Sequence, residues 1–393
     1  MKIFDKEPNF RFMSKAFYAF LLSGLIIAAG LVLFFTKGFN MGIDFVGGSL
    51  VEVSFKDKVT IDELRKSLGE LGLGDAEIVR VAKENKFFIK AVLKTADTTG
   101  KNDFAEHEKK VNLIKEAMMT AEEKTHFKSE KVDLNNSGDS AIIDALTSRG
   151  ISQEDAQEAA QQILDYRKTK KDAEGNITGV ITGFEELEKT DLKKRVLSAL
   201  KEGTYLAHFN LLSSEFVGPQ VGQRLRDQAT KATIFALIGM LVYMAFRFKF
   251  IYGVAAVLTL FHDVLVCLSF ILFFNIEVSL SVVAAILTIV GYSINDTIVI
   301  FDRIRDNIKV MRKEKIDILL DKSINQTLSR TIITSGTVLI TVLALVVYGG
   351  EVLYGFSFTM LVGVISGSYS TIYQSCAWLK VWQKKFLGVK KTS

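Results

Sequence analysis

Asp296 sits where a charge is expensive, which makes it the foremost candidate for chemistry in this sequence. It lies in the run Gly291-Tyr292-Ser293-Ile294-Asn295-Asp296-Thr297-Ile298-Val299-Ile300-Phe301-Asp302-Arg303-Ile304-Arg305. That places it about four turns into a long apolar stretch and less than two turns before Asp302. Ionisable groups inside a membrane are costly and so are candidates for function. Desolvation disfavours the ionised form of a buried carboxyl, so protonation of Asp296 could act as a switch. The other reading is a structural carboxylate hydrogen-bonded to neighbouring helices, and the residues alone leave both open. Arg330 opens the next apolar stretch, which must run antiparallel, so its depth resembles that of Asp296. An arginine keeps its proton in proteins and could hold Asp296 ionised until a proton displaces it. Equally, it could be a juxtamembrane cation placed by the positive-inside rule. His262-Asp263 falls near the middle of another apolar stretch, where the pair could hydrate a pathway or bond across helices. Asn295 and Gly291 flank Asp296 as supporting residues.

No nucleophile–base constellation accompanies these groups, and the four histidines lack metal-ligand spacing. The expectation is therefore no enzyme, no metal and no cofactor. Cys267 and Cys376 fall in apolar stretches and do not make a disulfide framework. The net charge of +5 is explained by basic flanks of apolar segments and points to no nucleic acid.

The elements that must position these residues are membrane spans. The chain is 49% hydrophobic yet 24% charged, so its apolar residues must be concentrated in blocks. Ala16–Phe35 is long enough to cross a hydrocarbon core of about 30 Å. Phe250–Phe274, Val278–Phe301, Thr331–Tyr348 and Val352–Leu379 are also long enough. Ala232–Phe246 is short, but Lys231 and Arg247 can snorkel at its ends, which makes six expected spans. The first block is longer than a signal core and is followed by no A-x-A-like cleavage site, so it reads as a retained anchor. Basic residues cluster at the N-terminus, at Arg247–Lys249, at Arg303–Lys322 and in the tail Lys384–Lys391. The positive-inside rule puts these pieces, and both termini, in the cytoplasm. The expected organisation is a cytoplasmic N-terminus and first span over 1–37, an extracytoplasmic domain over 38–228, five spans over 229–385 and a tail over 386–393.

In the extracytoplasmic domain, Gly42-Ile43-Asp44-Phe45-Val46-Gly47-Gly48 leads into the alternating run Ser49–Phe55. This is no phosphate loop, since it lacks the Lys-Ser/Thr and a following helix. Its glycines suit a tight backbone exit from the first span. Thr60 and Glu63 form a capping-box pattern ahead of a helix to about Gly69. Ala76–Val81, Phe87–Leu93 and Tyr205–Phe216 read as strands, giving a small ferredoxin-like α+β sheet over 42–93 and 205–217. The region 94–204 reads as a helical insert. Lys94–Asp103 is its linker, Phe104–Lys124 an exposed helix, and Ala141–Ser148 with Ser152–Thr169 a helix pair. Asp133-Leu134-Asn135, the hairpin at Arg149-Gly150, Ile163-Leu164-Asp165-Tyr166-Arg167 and Gly183-Phe184-Glu185-Glu186-Leu187 together resemble helix-hairpin-helix modules, although the usual Gly-x-Gly hairpin is absent; the plainer reading is a helical spacer. Gly239, Gly291, Gly336 and Gly363 are expected to let helices approach closely.

Taken in order, the Gly42–Gly48 motif, Val217-Gly218-Pro219-Gln220-Val221-Gly222, Tyr243-Met244-Ala245-Phe246-Arg247-Phe248 and Gly291–Arg305 resemble the signatures of the SecF family. The similarity covers roughly 1–93 and 205–385, and the insert departs from it. The resemblance implies an α-helical polytopic membrane protein of RND-like fold. It further implies partnership with SecD beside the SecYEG channel, with SecA on the cytoplasmic side and exported polypeptides as substrate. Within a lipid membrane, proton flow would drive movements that help pull chains outward. The family's protonatable Asp falls on Asp296 and its functional Arg on Arg330. Two rival readings are an RND-type exporter of small molecules or lipids, and a non-conducting assembly scaffold of the translocon.

Overall fold

The computed structural model describes residues 7–81, 84–92, 103–129, 131–172, 175–247 and 250–386. The expected linker before Asp103, residues 82–83 between two expected strands, the loop residues 248–249 and the tail after Phe386 fall outside them. The chain divides into two compact units, one of residues 1–42 with 225–393 and the other of residues 43–224.

The first element, α1 (Ala16–Lys37), ends where Gly38 adopts a φ of 71° and its N–H returns to Phe34 O at 3.0 Å. In the second unit, α2 (Ile43–Val46) precedes β1 (Gly48–Phe55), α3 (Ile61–Glu70), β2 (Glu77–Arg80) and β3 (Lys86–Val92). The Thr60–Glu63 capping box forms as expected: Glu63 N–H donates to Thr60 Oγ1, and Glu63 accepts from Thr60 N–H at 2.8 Å. The insert contributes α4 (Asp103–Met118), α5 (Ala121–Lys128), β4 (Val132–Asp133), α6 (Asp139–Thr147), α7 (Gln153–Thr169), α8 (Phe184–Leu187), α9 (Lys194–Gly203) and β5 (Thr204–Tyr205). β6 (Phe209–Val217) then completes a four-stranded antiparallel sheet in the order β2-β3-β1-β6.

Three expectations need correction here. The helix expected over Phe104–Lys124 is broken, because Thr120 caps a new helix with Glu123 as its capping-box partner. Its first half is not simply exposed: Ile114 and Met118 join the core formed by Val51, Val53, Phe87 and Ile89 of the sheet. The last strand starts at Phe209 rather than Tyr205, because Thr204–Tyr205 pairs in parallel with Val132–Asp133.

The insert also builds a core of its own from Leu134, Ile142, Leu146, Ile163, Leu187 and Leu200. Asn135 ties that core to the chain entering β6. Its Nδ2 donates to Ile181 O at 3.0 Å and to Ala207 O at 2.6 Å, and its Oδ1 accepts from Ile181 N–H at 2.9 Å. Ser152 caps α7, accepting from Asp155 N–H.

The remaining helices are α10 (Pro219–Arg247), α11 (Phe250–Phe273), α12 (Leu280–Val310), α13 (Ile316–Tyr348) and α14 (Gly350–Phe386). Five stretches among the described residues are long and apolar enough to cross a membrane: Ala16–Lys37, Phe250–Phe273, Leu280–Val310, Ile316–Tyr348 and Val352–Val381. The short segment Ala232–Phe246 lies within α10 and is not one of them. The basic segment Arg303–Lys322 is mostly helical, since α12 runs on to Val310 and α13 starts at Ile316. At this end, Met13 N–H donates to Asp321 Oδ1 at 2.8 Å and Phe10 N–H to Asn325 Oδ1 at 3.1 Å, seating the N-terminal segment on α13.

Close helix approach falls partly on different glycines from those the sequence suggests. A Cβ on Gly363 would stand 2.2 Å from Ile289 Cδ1, whereas Gly239, Gly291 and Gly336 have nothing within 4 Å. Gly30, not anticipated, lets α1 meet α11 where a Cβ would stand 2.2 Å from Ser269 Oγ.

Candidate functional site

Asp296 projects from the middle of α12 and is 2% exposed. Its Oδ1 accepts a long hydrogen bond of 3.5 Å from Thr334 Oγ1 of α13, and its Oδ2 is buried without a hydrogen-bond partner among the described residues. A carboxylate oxygen in that condition is unusual, because buried polar groups are normally satisfied. Arg330 lies one turn before Thr334 on α13 and its side chain is exposed. Its charge acts on Asp296, but among the described residues no ion pair joins the two. Asn295 is exposed and makes no hydrogen bond to Asp296 among the described residues, and Gly291 is exposed a turn away. Neither expected supporting residue completes the site.

His262-Asp263 on α11 is more densely connected than the sequence suggested. Asp263 is 1% exposed, and its Oδ1 lies 3.0 Å from His262 Nδ1. Ser293 Oγ of α12 donates to Asp263 Oδ2 at 2.6 Å, and Ser366 Oγ of α14 donates to Oδ1 at 3.3 Å. On the far side of the ring, Gln374 Nε2 of α14 lies 2.9 Å from His262 Nε2 and donates to Ser23 Oγ of α1 at 2.9 Å. The pair is thus hydrogen-bonded to both α12 and α14. The chain of groups also comes near Asp296, since Ser293 lies one turn before it on the same helix.

Sequence reasoning missed Ser23, Ser293, Thr334, Ser366 and Gln374. A signal was present: Ser366, Ser370 and Gln374 recur every four residues through an apolar segment, which puts polar groups on one helix face.

The glycine motif holds backbone rather than ligand. Gly42 N–H donates to Val278 O at 2.8 Å, and Val278 N–H donates to Asn40 O at 2.7 Å. Phe45 is buried and Asp44 half-buried on α2. Gly47 has a φ of 73°, and a Cβ there would stand 2.8 Å from Pro219 Cα; at Gly48 it would stand 2.7 Å from Ala91 O. No cluster of metal-ligating side chains occurs among the described residues.

Long apolar helices that bury carboxylates at their interfaces, in a chain that also folds a separate sheet-containing unit, define a multi-pass membrane protein with a polar interior. Comparison with known proteins narrows this class. The family model for the protein export membrane protein SecD/SecF, C-terminal, matches residues 197–385, and that for the SecD/SecF GG motif matches residues 32–59. The protein translocase subunit SecF of Koribacter versatilis is 38% identical, over 98% of this chain and 94% of the relative. The subunit of the same name from Vibrio alginolyticus is 31% identical, over 96% of this chain and 90% of the relative. The crystal structure of SecDF, a translocon-associated membrane protein from Thermus thermophilus, superposes with a TM-score of 0.63 at 30% identity. That match covers 98% of this chain but only 40% of the SecDF chain. The chain belongs to the SecD/SecF protein-export family, in its SecF branch. It is a subunit of Sec protein export, a transport component rather than an enzyme.

Proposed function

We propose that this subunit works with SecD to use the proton motive force in the late translocation and release of exported proteins. The observation that carries this reading is the buried carboxyl of Asp296, with Oδ2 unpartnered and Arg330 near but not ion-paired. When ionised, Asp296 draws the guanidinium of Arg330 inward; when protonated, it releases it. Moving one charge across 100 mV is worth about 2.3 kcal/mol. That is enough to bias two bundle packings that differ by a few kcal/mol.

The same reading places the chain in the inner membrane with six spans, counting Ala232–Phe246, and with both termini cytoplasmic. Residues 38–228 are then extracytoplasmic, and SecYEG and SecA are the neighbouring machinery. A ferredoxin-like sheet is supported by the antiparallel order β2-β3-β1-β6 around a β-α-β-β unit. The scaffold alternative would have Asp296 and Arg330 clamp α12 to α13, and the lack of an ion pair between them favours the proton reading.

The test is complementation of cells lacking their own SecF-type subunit, with SecD co-purified alongside. Wild type should restore export and Asp296→Asn should not, with equal SecD recovery. Loss of SecD recovery in Asp296→Asn would instead support the scaffold.

A further inference from the structure

The hydrogen bonds around His262 fix its proton. Gln374 Nε2 can only donate, and it faces His262 Nε2 at 2.9 Å, so that ring nitrogen accepts. The single proton of the neutral ring therefore resides on Nδ1 and is donated to Asp263 Oδ1 at 3.0 Å. Asp263 is held as a carboxylate by three donors, the ring, Ser293 and Ser366. Among the described residues its only ion-pair partner is His262, so the buried pair carries one negative charge that no Lys or Arg offsets. Adding one proton to the ring makes the pair neutral overall without breaking any of these three bonds.

We propose that His262 is a second proton-binding site of the bundle, and that the amide of Gln374 reports its state to α1 through Ser23. The added proton goes to Nε2, while Nδ1–H stays on Asp263. Nε2–H then needs an acceptor. A half-turn of the Gln374 amide brings Oε1 to face both the ring and Ser23, and the Ser23 hydroxyl changes from accepting to donating. In both states the ring Nε2 and the Ser23 hydroxyl keep the Gln374 amide as their shared partner, so the switch exchanges donor for acceptor without separating the three groups. The relay joins α11, which holds the proton, to α14 and α1.

Few other titratable groups face the site. On α11 Cys267 is one turn on and feels the Asp263 charge. On α12 Asp296 lies one turn beyond Ser293, bound towards Thr334. On α14 the Tyr369 hydroxyl is committed to Ala19 O at 2.7 Å. Among the described residues, Ser23 and the Ala19 carbonyl are what reach the site from α1, and neither titrates.

The inference extends the proton-coupled reading but does not need Asp296, so its test is run with and without that carboxyl. The full-length chain is labelled with nitrogen-15 histidine and reconstituted in lipid nanodiscs. The His262 signal is identified twice, as the one lost in His262→Gln and as the one kept when His107, His126 and His208 are all replaced by glutamine. Ring nitrogen shifts are then followed from about pH 5 to about pH 9. The proposal expects a one-proton transition at Nε2 in wild type, its persistence in Asp296→Asn and its loss in Asp263→Asn. In Gln374→Met the ring should still titrate, while proton-gradient-dependent export falls by about tenfold, a usual size for coupling between sites. A ring that stays neutral, or stays doubly protonated, across the range would overturn the proposal. So would a transition that disappears in Asp296→Asn, or wild-type export in Gln374→Met.

Discussion

Thr334, not Arg330, makes the contact to Asp296. Its hydroxyl reaches Oδ1 at 3.5 Å, while the guanidinium one turn earlier on α13 forms no ion pair with the carboxyl. A clamp would show the opposite arrangement. A weakly held carboxyl with an exposed cation one turn from its contact suits a site that must change partners.

Arg330 should accordingly be needed for coupling and dispensable for folding. Arg330→Met should abolish proton-dependent export while the protein accumulates and unfolds at the wild-type temperature. Arg330→Lys keeps the charge but not the planar fork and should retain part of the activity. Thermal unfolding and export assays on the three proteins check this, and a large fall in stability for Arg330→Met would count against it.

The glycine motif makes a different kind of prediction. A Cβ at Gly47 would meet the backbone of Pro219 at 2.8 Å, and its φ of 73° disfavours any other residue. Gly47→Ala should destabilise the protein by about 1–3 kcal/mol, the usual cost of a strained backbone position. Gly69→Ala, in a helix with open space around it, is the control and should be neutral or mildly stabilising. Thermal unfolding of both variants measures the difference.

What was legible in the sequence divides along physical lines. The five long apolar blocks, the Thr60–Glu63 cap and the alternating runs that became β1 and β3 announce themselves locally. Each depends on residues a turn or a strand apart. The position of Asp296 was equally readable, because a carboxylate in an apolar run needs no tertiary knowledge to stand out. Its contact was not, since Thr334 meets it only through how α12 and α13 rotate. The same limit hid Gln374 and Ser23, which meet His262 from α14 and α1. The insert was underrated for another reason. Its core residues, such as Leu134 and Leu187, are spread through polar segments, and only the buried Asn135 and the α9 face bring them together.

Acid should loosen α5 in a way that one residue explains. Burial alone would push the Glu123 carboxyl up, but hydrogen bonds from His208 and the Thr120 backbone outweigh it and hold the group below its ordinary 4.5. The folded state thus binds this proton more weakly than the unfolded state. The stabilisation is complete above about pH 4.5 and is lost as the pH falls below it. Asp133, which burial pushes up, works in the opposite direction, so the comparison must be with Glu123→Gln. Protection factors of the α5 amides should fall between about pH 5 and about pH 3 in wild type and stay lower but flatter in Glu123→Gln. Parallel pH profiles for the two proteins would contradict this assignment.

The most direct test of the central claim is release of an exported protein from membrane vesicles under an imposed proton gradient, comparing wild type with Asp296→Asn at matched SecD content. The account predicts gradient-stimulated release in wild type, none in Asp296→Asn, and equal release from both once the gradient is collapsed. Gradient-stimulated release at the wild-type rate in Asp296→Asn would contradict it and leave Asp296 a structural carboxylate.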